Sequence, residues 1–228
     1  MPLTPTMEYG TITAVGFIIE KISMKEVAYL CSKHHGYKSS GGTATYAFGV
    51  VEGNSIVAAY AWQPPPPGAA KSVCSTAPYG VLALSRMVAV PKDQRTLKHI
   101  SKPLMTQMKT LIDRGRWPVL VTYSDEGLGH DGYVYQCSGW EKTARNLSAT
   151  YCDGSGARTS SYQNGRTIKN PGVLRGKFYI QRWEHWACER GSADKWIESH
   201  GWTRVLVAGK VWKSGAQAYT YKKVEVLL

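Results

Sequence analysis

Three consecutive segments decide the fold: residues 81–90 (VLALSRMVAV), 96–114 (TLKHISKPLMTQMKTLIDR) and 118–123 (PVLVTY). The first and third are short apolar runs of the kind used for buried strands. The middle segment carries Leu97, Ile100, Leu104, Met108, Leu111 and Ile112 at helical spacing. Pro103 falls early in it, where a missing N–H is tolerated best. A strand, a helix and a strand of these lengths form a crossover that leaves the two strands side by side and parallel, with the helix on one face.

Working outward, residues 15–20 (VGFIIE) predict a strand. Ser23-Met-Lys-Glu26 has the spacing of a capping box and opens a helix that runs to Lys33. Residues 45–51 and 55–62 read as a hairpin around Glu52-Gly53-Asn54, closed by an extended segment at residues 64–67. Downstream, residues 132–138 predict a helix ended by Gly139. Residues 153–172 are Gly/Ser-rich and polar, a long loop of the kind that is often functional. Residues 178–186, 193–200, 204–212 and 219–228 follow as strand, helix, strand and strand. The expected class is α/β, a mixed sheet flanked by helices. Residues 1–152 form its core, and residues 153–228 form a basic, Trp-rich extension that completes the fold or binds nucleic acid.

Composition narrows the function. The 228 residues are 43% hydrophobic, enough for a full core, which excludes a disordered basic tail or a disulfide-stapled mini-protein. Five scattered cysteines form no C-x-x-C pair and no zinc-ligand spacing, and they fit a reducing cytoplasm. The first residues lack a charged segment followed by an apolar run, and no stretch approaches the roughly 18 apolar residues of a membrane span, so secretion and membrane insertion are not expected. There are 28 Lys and Arg against 16 Asp and Glu. Residues 157–228 hold 13 basic and 5 acidic residues, so +8 of the +12 lies in the last third, together with five of the eight tryptophans. Basic surface attracts phosphate backbones and flat rings stack on bases, which makes nucleic acid the leading partner. The bland reading is a basic domain whose tryptophans are core.

The densest polar cluster is VTYSDEGLGHDGYVYQCSGW, residues 121–140. Its strand end delivers Tyr123, Ser124 and Asp125, and the Gly-hinged loop and helix that follow deliver His130 and Tyr135. Ligands bind at such strand ends in open α/β sheets. Asp125 can orient His130 or act as a base, Ser124 can position a substrate group, and Tyr135 can protonate a leaving group. The structural alternative has Ser124 and Asp125 capping the turn and His130 or Asp131 capping the helix. Arg86, in the middle of an apolar strand, needs an acidic partner, a phosphate or the active site, and Asp125 is the natural partner. Of the adjacent His34 and His35, one faces the site or both lie on the surface. No metal ligand set is visible in sequence, although ligands brought together by the fold stay open.

The order of elements and the long hairpin resemble the GNAT acyltransferase fold. More specifically, Leu84-Ser-Arg86, Thr122-Tyr-Ser-Asp125, Gly129-His130-x-Gly132-x-x-Tyr135-Gln136, Gly139-Trp140, Asp153-Gly and Arg158-Thr-Ser resemble the Mom-like DNA modification proteins of bacteriophages. The resemblance covers residues 20–165. It implies a GNAT-like transferase that adds a carbamoylmethyl (acetamido) group to N6 of adenine in DNA and so protects it from restriction, working in the host cytoplasm. It marks Arg86, Tyr123, Ser124, Asp125, His130 and Tyr135 as site candidates, with His35 after the first helix.

GNAT enzymes bind acyl-CoA pyrophosphate through a glycine-containing loop at a helix N-terminus. This chain has Gln94-Arg95-Thr96-Leu97-Lys98-His99 there, with no glycine. Gln94, Arg95, Lys98 and His99 are therefore candidates to grip a donor through side chains. Acyl-CoA, an aminoacyl-tRNA-type donor and a metal requirement all stay open, as does a homodimer. On the substrate side the candidates are Trp62 and Gln63, which could stack on and read a flipped adenine, and Arg158 and Arg166 in the polar loop. Two competing readings are a non-catalytic nucleic-acid-binding module on the same fold and an acetyltransferase acting on a small amine or protein.

Overall fold

The computed structural model describes residues 11–12, 18–36, 43–90, 96–152, 158–159, 162–163, 166–167, 172–211 and 217–224. Strands β1 (Thr11–Ile12), β2 (Ile18–Lys21), β3 (Tyr46–Glu52), β4 (Ser55–Gln63), β5 (Val81–Ala89), β6 (Val119–Asp125), β7 (Glu141–Cys152), β8 (Arg158–Thr159) and β11 (Val173–Trp186) make one mixed sheet in the order β1-β2-β3-β4-β5-β6-β11-β7-β8. Strands β9 (Tyr162–Gln163) and β10 (Arg166–Thr167) form a short hairpin, and β12 (Trp202–Val211) pairs with β13 (Gln217–Lys223). The α/β class expected from sequence is therefore the observed one.

Helices cover both faces. On one lie α3 (Thr96–Asp113) and α4 (Tyr133–Cys137); Leu104, Leu111, Leu82, Leu120, Tyr60 and Trp62 form the main core between α3 and the sheet. Each fully buried leucine there contributes about 2 kcal/mol. On the other face lie α1 (Met24–His34), packed through Val27, Leu30 and Cys31, and a second group made of α2 (Pro67–Val73), α5 (Ala193–Ser199) and β13. The Ser23–Glu26 capping box opens α1 with both reciprocal bonds present. Gly139, at φ +76°, follows the end of α4 in the left-handed conformation that favours glycine.

Several sequence expectations are corrected. The extended segment after the hairpin turns into α2 at Pro67, because proline is tolerated in the first turn of a helix. Residues 141–152 form a long strand that was not anticipated. Part of the expected loop at 153–172 pairs as β8, β9 and β10. Strand β11 returns from beyond that loop to lie between β6 and β7, so the sheet is completed by residues from the last third of the chain.

One irregularity positions the site. Strands β5 and β6 are parallel, as the crossover requires, but pair only at Val81–Val119, Leu82–Leu120 and Ala83–Val121. Beyond that they diverge. The Thr122 hydroxyl donates to the Leu84 carbonyl at 3.1 Å across the start of the gap. On the other edge of β5, Trp62 pairs with Leu84 and Ala61 with Arg86, so Ser85 is an extra residue. That bulge inverts the alternation. It puts Arg86 and Val88 on the α1 side and Met87 and Ala89 on the α3 side.

Candidate functional site

The gap between β5 and β6 opens into a cleft of about 360 Å3. Met87, Val88 and Ala89 come from β5, Ser124 from β6, Ile100 from α3, residues 129–135 from the loop and α4, and His34, His35 and Gly36 from the end of α1. The parallel strands thus end at a ligand-sized space, the expected place in an open α/β sheet.

Ser124 is buried and accepts a hydrogen bond from the Trp183 indole N–H at 3.0 Å. An indole nitrogen only donates. Ser124 must therefore accept there, which leaves its own proton to be given to a group in the cleft. The Trp183 ring also lies against Gly132, where a Cβ would come within 2.1 Å of it. Gly132 has φ +82° and starts α4. The Asp131 carboxylate accepts from the Tyr133 N–H at 2.9 Å and fixes the turn into that helix. Tyr135 is buried, its ring 6.0 Å from that of Trp183. Burial pushes its phenol above the usual range, partly offset by a hydrogen bond with Thr122. His130 stands exposed at the cleft wall, its backbone N–H donating to the Asp125 carbonyl at 3.2 Å.

The structure brings Ser124, His130, Tyr135 and His35 together around one cleft, and His34 with them, so both histidines at the end of α1 line it. Tyr123, Asp125 and Arg86 point to the opposite face, by strand alternation and by the bulge. Tyr123 lies beside Arg182; burial raises its pKa and Arg182 lowers it. Asp125 accepts from the Gly127 N–H at 2.9 Å and so caps the turn that leads to His130. Arg86 is half-buried and donates to the Ser85 carbonyl at 2.6 Å.

Trp62 is wholly buried, donates to Gln107 at 3.1 Å and stacks on Trp140, so it offers no ring to a base. Gln63 sits at the far end of β4, paired with Ala83, and accepts from Thr43 at 3.4 Å. Gln94 and Arg95 lie outside the described residues; Lys98 and His99 fall in the first turn of α3. Arg158 and Arg166 belong to β8 and β10. Trp183 is buried beside the cleft, while Trp186, Trp196 and Trp202 pack, partly buried, against the second core group; Trp212 lies outside the described residues.

Sequence reasoning missed Trp183 as a site residue. The available signal was its place in a strand two residues from a glutamine and opposite a Thr-x-Ser pattern. It also missed the network at the end of β6. There Glu126 takes bonds from Arg145 at 2.7 and 2.8 Å and from Gln181 at 2.6 Å, which hold its carboxyl down at about 2. Among the described residues no three His, Cys, Asp or Glu side chains gather as a metal site, and no helix is long and apolar enough to cross a membrane.

A mixed α/β sheet split between two parallel strands, with a cleft in the split that mixes apolar walls with a few polar side chains, defines the class. The Mom protein family profile matches residues 16–188, and the chain belongs to the Mom protein family. None of the curated proteins searched matches the sequence. Solved structures similar to the chain include the ribosomal-protein-S18-alanine N-acetyltransferase from Escherichia coli, with 11% identity, 77% of this chain and 96% of that one covered, and a TM-score of 0.47. An aminoglycoside 6'-acetyltransferase type Ii shows 11% identity, 76% and 99% coverage and a TM-score of 0.46. An acetyltransferase from Bacillus subtilis in complex with CoA shows 10% identity, 74% and 97% coverage and 0.45.

Proposed function

We propose that this protein is a transferase that modifies DNA, attaching a carbamoylmethyl-type group to N6 of adenine and so protecting phage DNA from restriction in the host cytoplasm. The observation that carries the reading is that the family match spans the whole cleft, from His34 to Tyr135, and Trp183 beside it. The adenine must leave the duplex to reach a cleft of this kind, at a cost of a few kcal/mol that contacts to the flipped base and its backbone offset. When N6 attacks the donor carbon, one N6 proton must leave, and His130 and His35 are the cleft bases placed to take it. The Ser124 hydroxyl, polarised by the Trp183 N–H, donates to the donor oxygen or leaving group. Tyr135 and Thr122 hold the floor of the split. Asp125 acts through the turn it caps. The donor itself stays unassigned, and Lys98 and His99 are the candidates to meet its phosphates.

Co-expression with a plasmid, followed by mass analysis of digested nucleosides, tests the reading. A modified deoxyadenosine is expected. Ser124→Ala should lower its yield by about 100-fold or more, the usual loss when one preorganised donor is removed. Unmodified nucleosides from a folded, DNA-bound protein would favour the non-catalytic binding module instead.

A further inference from the structure

The β7–β11 ribbon runs past the sheet. Strand β6 makes its last pair between Asp125 and Ile180, whereas β11 begins seven residues earlier, at Val173, paired only with β7. At about 3.3 Å per residue the ribbon projects roughly 20 Å beyond the strand end where the cleft opens. Its register continues one face of the sheet outward. Ser124 pairs with Gln181, Gln181 with Arg145, Tyr179 with Leu147 and Lys177 with Ala149. Alternate residues of a strand share a face, so Arg145, Leu147, Tyr179 and Lys177 lie on the same side as Ser124.

That face is built to be met by something. Tyr179 is 39% exposed and Leu147 is 56% exposed. The Arg145 guanidinium is stacked 3.5 Å from the Tyr179 ring centroid and is held by Glu126. Lys177 is exposed. Strand β8 pairs with β7 at Cys152–Arg158, which sets Arg158 at the ribbon's tip, and Arg175 lies in β11. The charged residues of the projecting stretches, 147–152 and 173–179, are Arg175 and Lys177, with no acidic one. A basic two-stranded ribbon that carries exposed aromatic and aliphatic side chains fits a nucleic acid duplex, whose major groove admits such a ribbon.

We propose that the cleft-side face of the β7–β11 ribbon is the surface that grips duplex DNA next to the base being modified. This rests on the DNA-modification reading above. Lys177 contacts backbone phosphate, and the ring of Tyr179, kept flat by Arg145, packs against the nucleotide that flanks the flipped base.

The test is fluorescence anisotropy of a labelled 20-base-pair duplex across a salt series, with wild type, Lys177→Gln, Tyr179→Ser and, as a charge-matched control on the opposite face, Lys195→Gln. Lys177→Gln should flatten the slope of log affinity against log salt by about 0.9, the value for one lost phosphate contact. Tyr179→Ser should weaken binding about fivefold or more with the slope kept. Lys195→Gln should match wild type. If wild type binds duplex but Lys177→Gln and Tyr179→Ser match it, or Lys195→Gln loses as much as Lys177→Gln, the ribbon is not the grip and the DNA reading stands. If wild type binds no duplex, the DNA reading and the ribbon proposal fall together.

Discussion

On the α3 side of β6, Ser124 is 2% exposed and holds the Trp183 indole N–H. One residue earlier, on the other side, Tyr123 is 44% exposed beside Arg182. The two belong to one four-residue motif, Thr122-Tyr-Ser-Asp125, yet the strand's period of two assigns its members to different surroundings. Thr122 and Ser124 close the split between β5 and β6. Tyr123 and Asp125 face a region where Glu184, buried, takes bonds from Arg182 at 2.9 Å and Trp186 at 2.8 Å. The cleft face is shaped by a backbone that stops pairing, and the opposite face by side chains that satisfy one another. A motif contiguous in sequence therefore divides into residues that touch a ligand and residues that hold the strand.

The largest expected effect lies where the cleft face is tightest. Gly132→Ala puts a methyl into the Trp183 ring and forces an L residue to φ +82°. A loss of about 3 kcal/mol follows from strain plus overpacking. At 2–4 °C per kcal/mol this corresponds to a fall in Tm of about 6–12 °C, read by scanning calorimetry. An unchanged Tm would mean that Trp183 does not sit against this turn, and the account of the cleft face would break.

Next comes the bond itself. Trp183→Phe keeps most of the ring but deletes the N–H that Ser124 accepts. Adduct yield in the plasmid assay should fall about tenfold, and Trp183→Phe should add little on top of Ser124→Ala, because the two changes remove one unit. Additive losses would show Ser124 and Trp183 acting separately. The opposite face gives the contrast: Tyr123→Phe should change yield by less than about twofold. A large loss there would return Tyr123 to the chemistry and overturn the division between faces.

The fold was legible where one periodicity dominated. The 81–90, 96–114 and 118–123 segments each showed a single pattern, and the crossover rule then fixed their arrangement. Strand β7 was not, because EKTARNLSATYC mixes polar and small residues without a period of two and has little apolar signal until β11 lies beside it. The placement of Arg86 depended on one inserted residue, Ser85, and nothing in VLALSRMVAV marks a bulge. For the site, the cluster at 121–140 pointed to the right strand end. The side-chain directions followed from alternation, but which face held the cleft depended on where β5 and β6 part. Trp62 illustrates a different failure: at the end of the hairpin it was a candidate to stack on a flipped base, whereas it is buried and Gln107, 45 residues away, accepts its N–H.

The smallest effect concerns the point where the two faces meet. Glu126 follows Asp125 directly and ties β6 to β7 through Arg145 and to β11 through Gln181. Hydrogen bonds from Arg145 and then Gln181 hold its pKa at about 2. A carboxyl with a depressed pKa binds fewer protons in the folded than in the unfolded chain, so its contribution is present above the ordinary value near 4.5 and is lost as pH falls from there toward 2. Glu126→Gln removes that titration. At pH 7 its Tm should lie slightly below wild type, by little because the carboxylate is solvated and exposed ion pairs contribute little. Between pH 4.5 and 2.5 the wild-type Tm should fall more steeply than that of Glu126→Gln, so that the gap between them narrows. Parallel curves through that window would mean that the β6 end is held by packing, such as Phe178 against Gly127, and that this junction belongs wholly to the side of the strand that keeps structure.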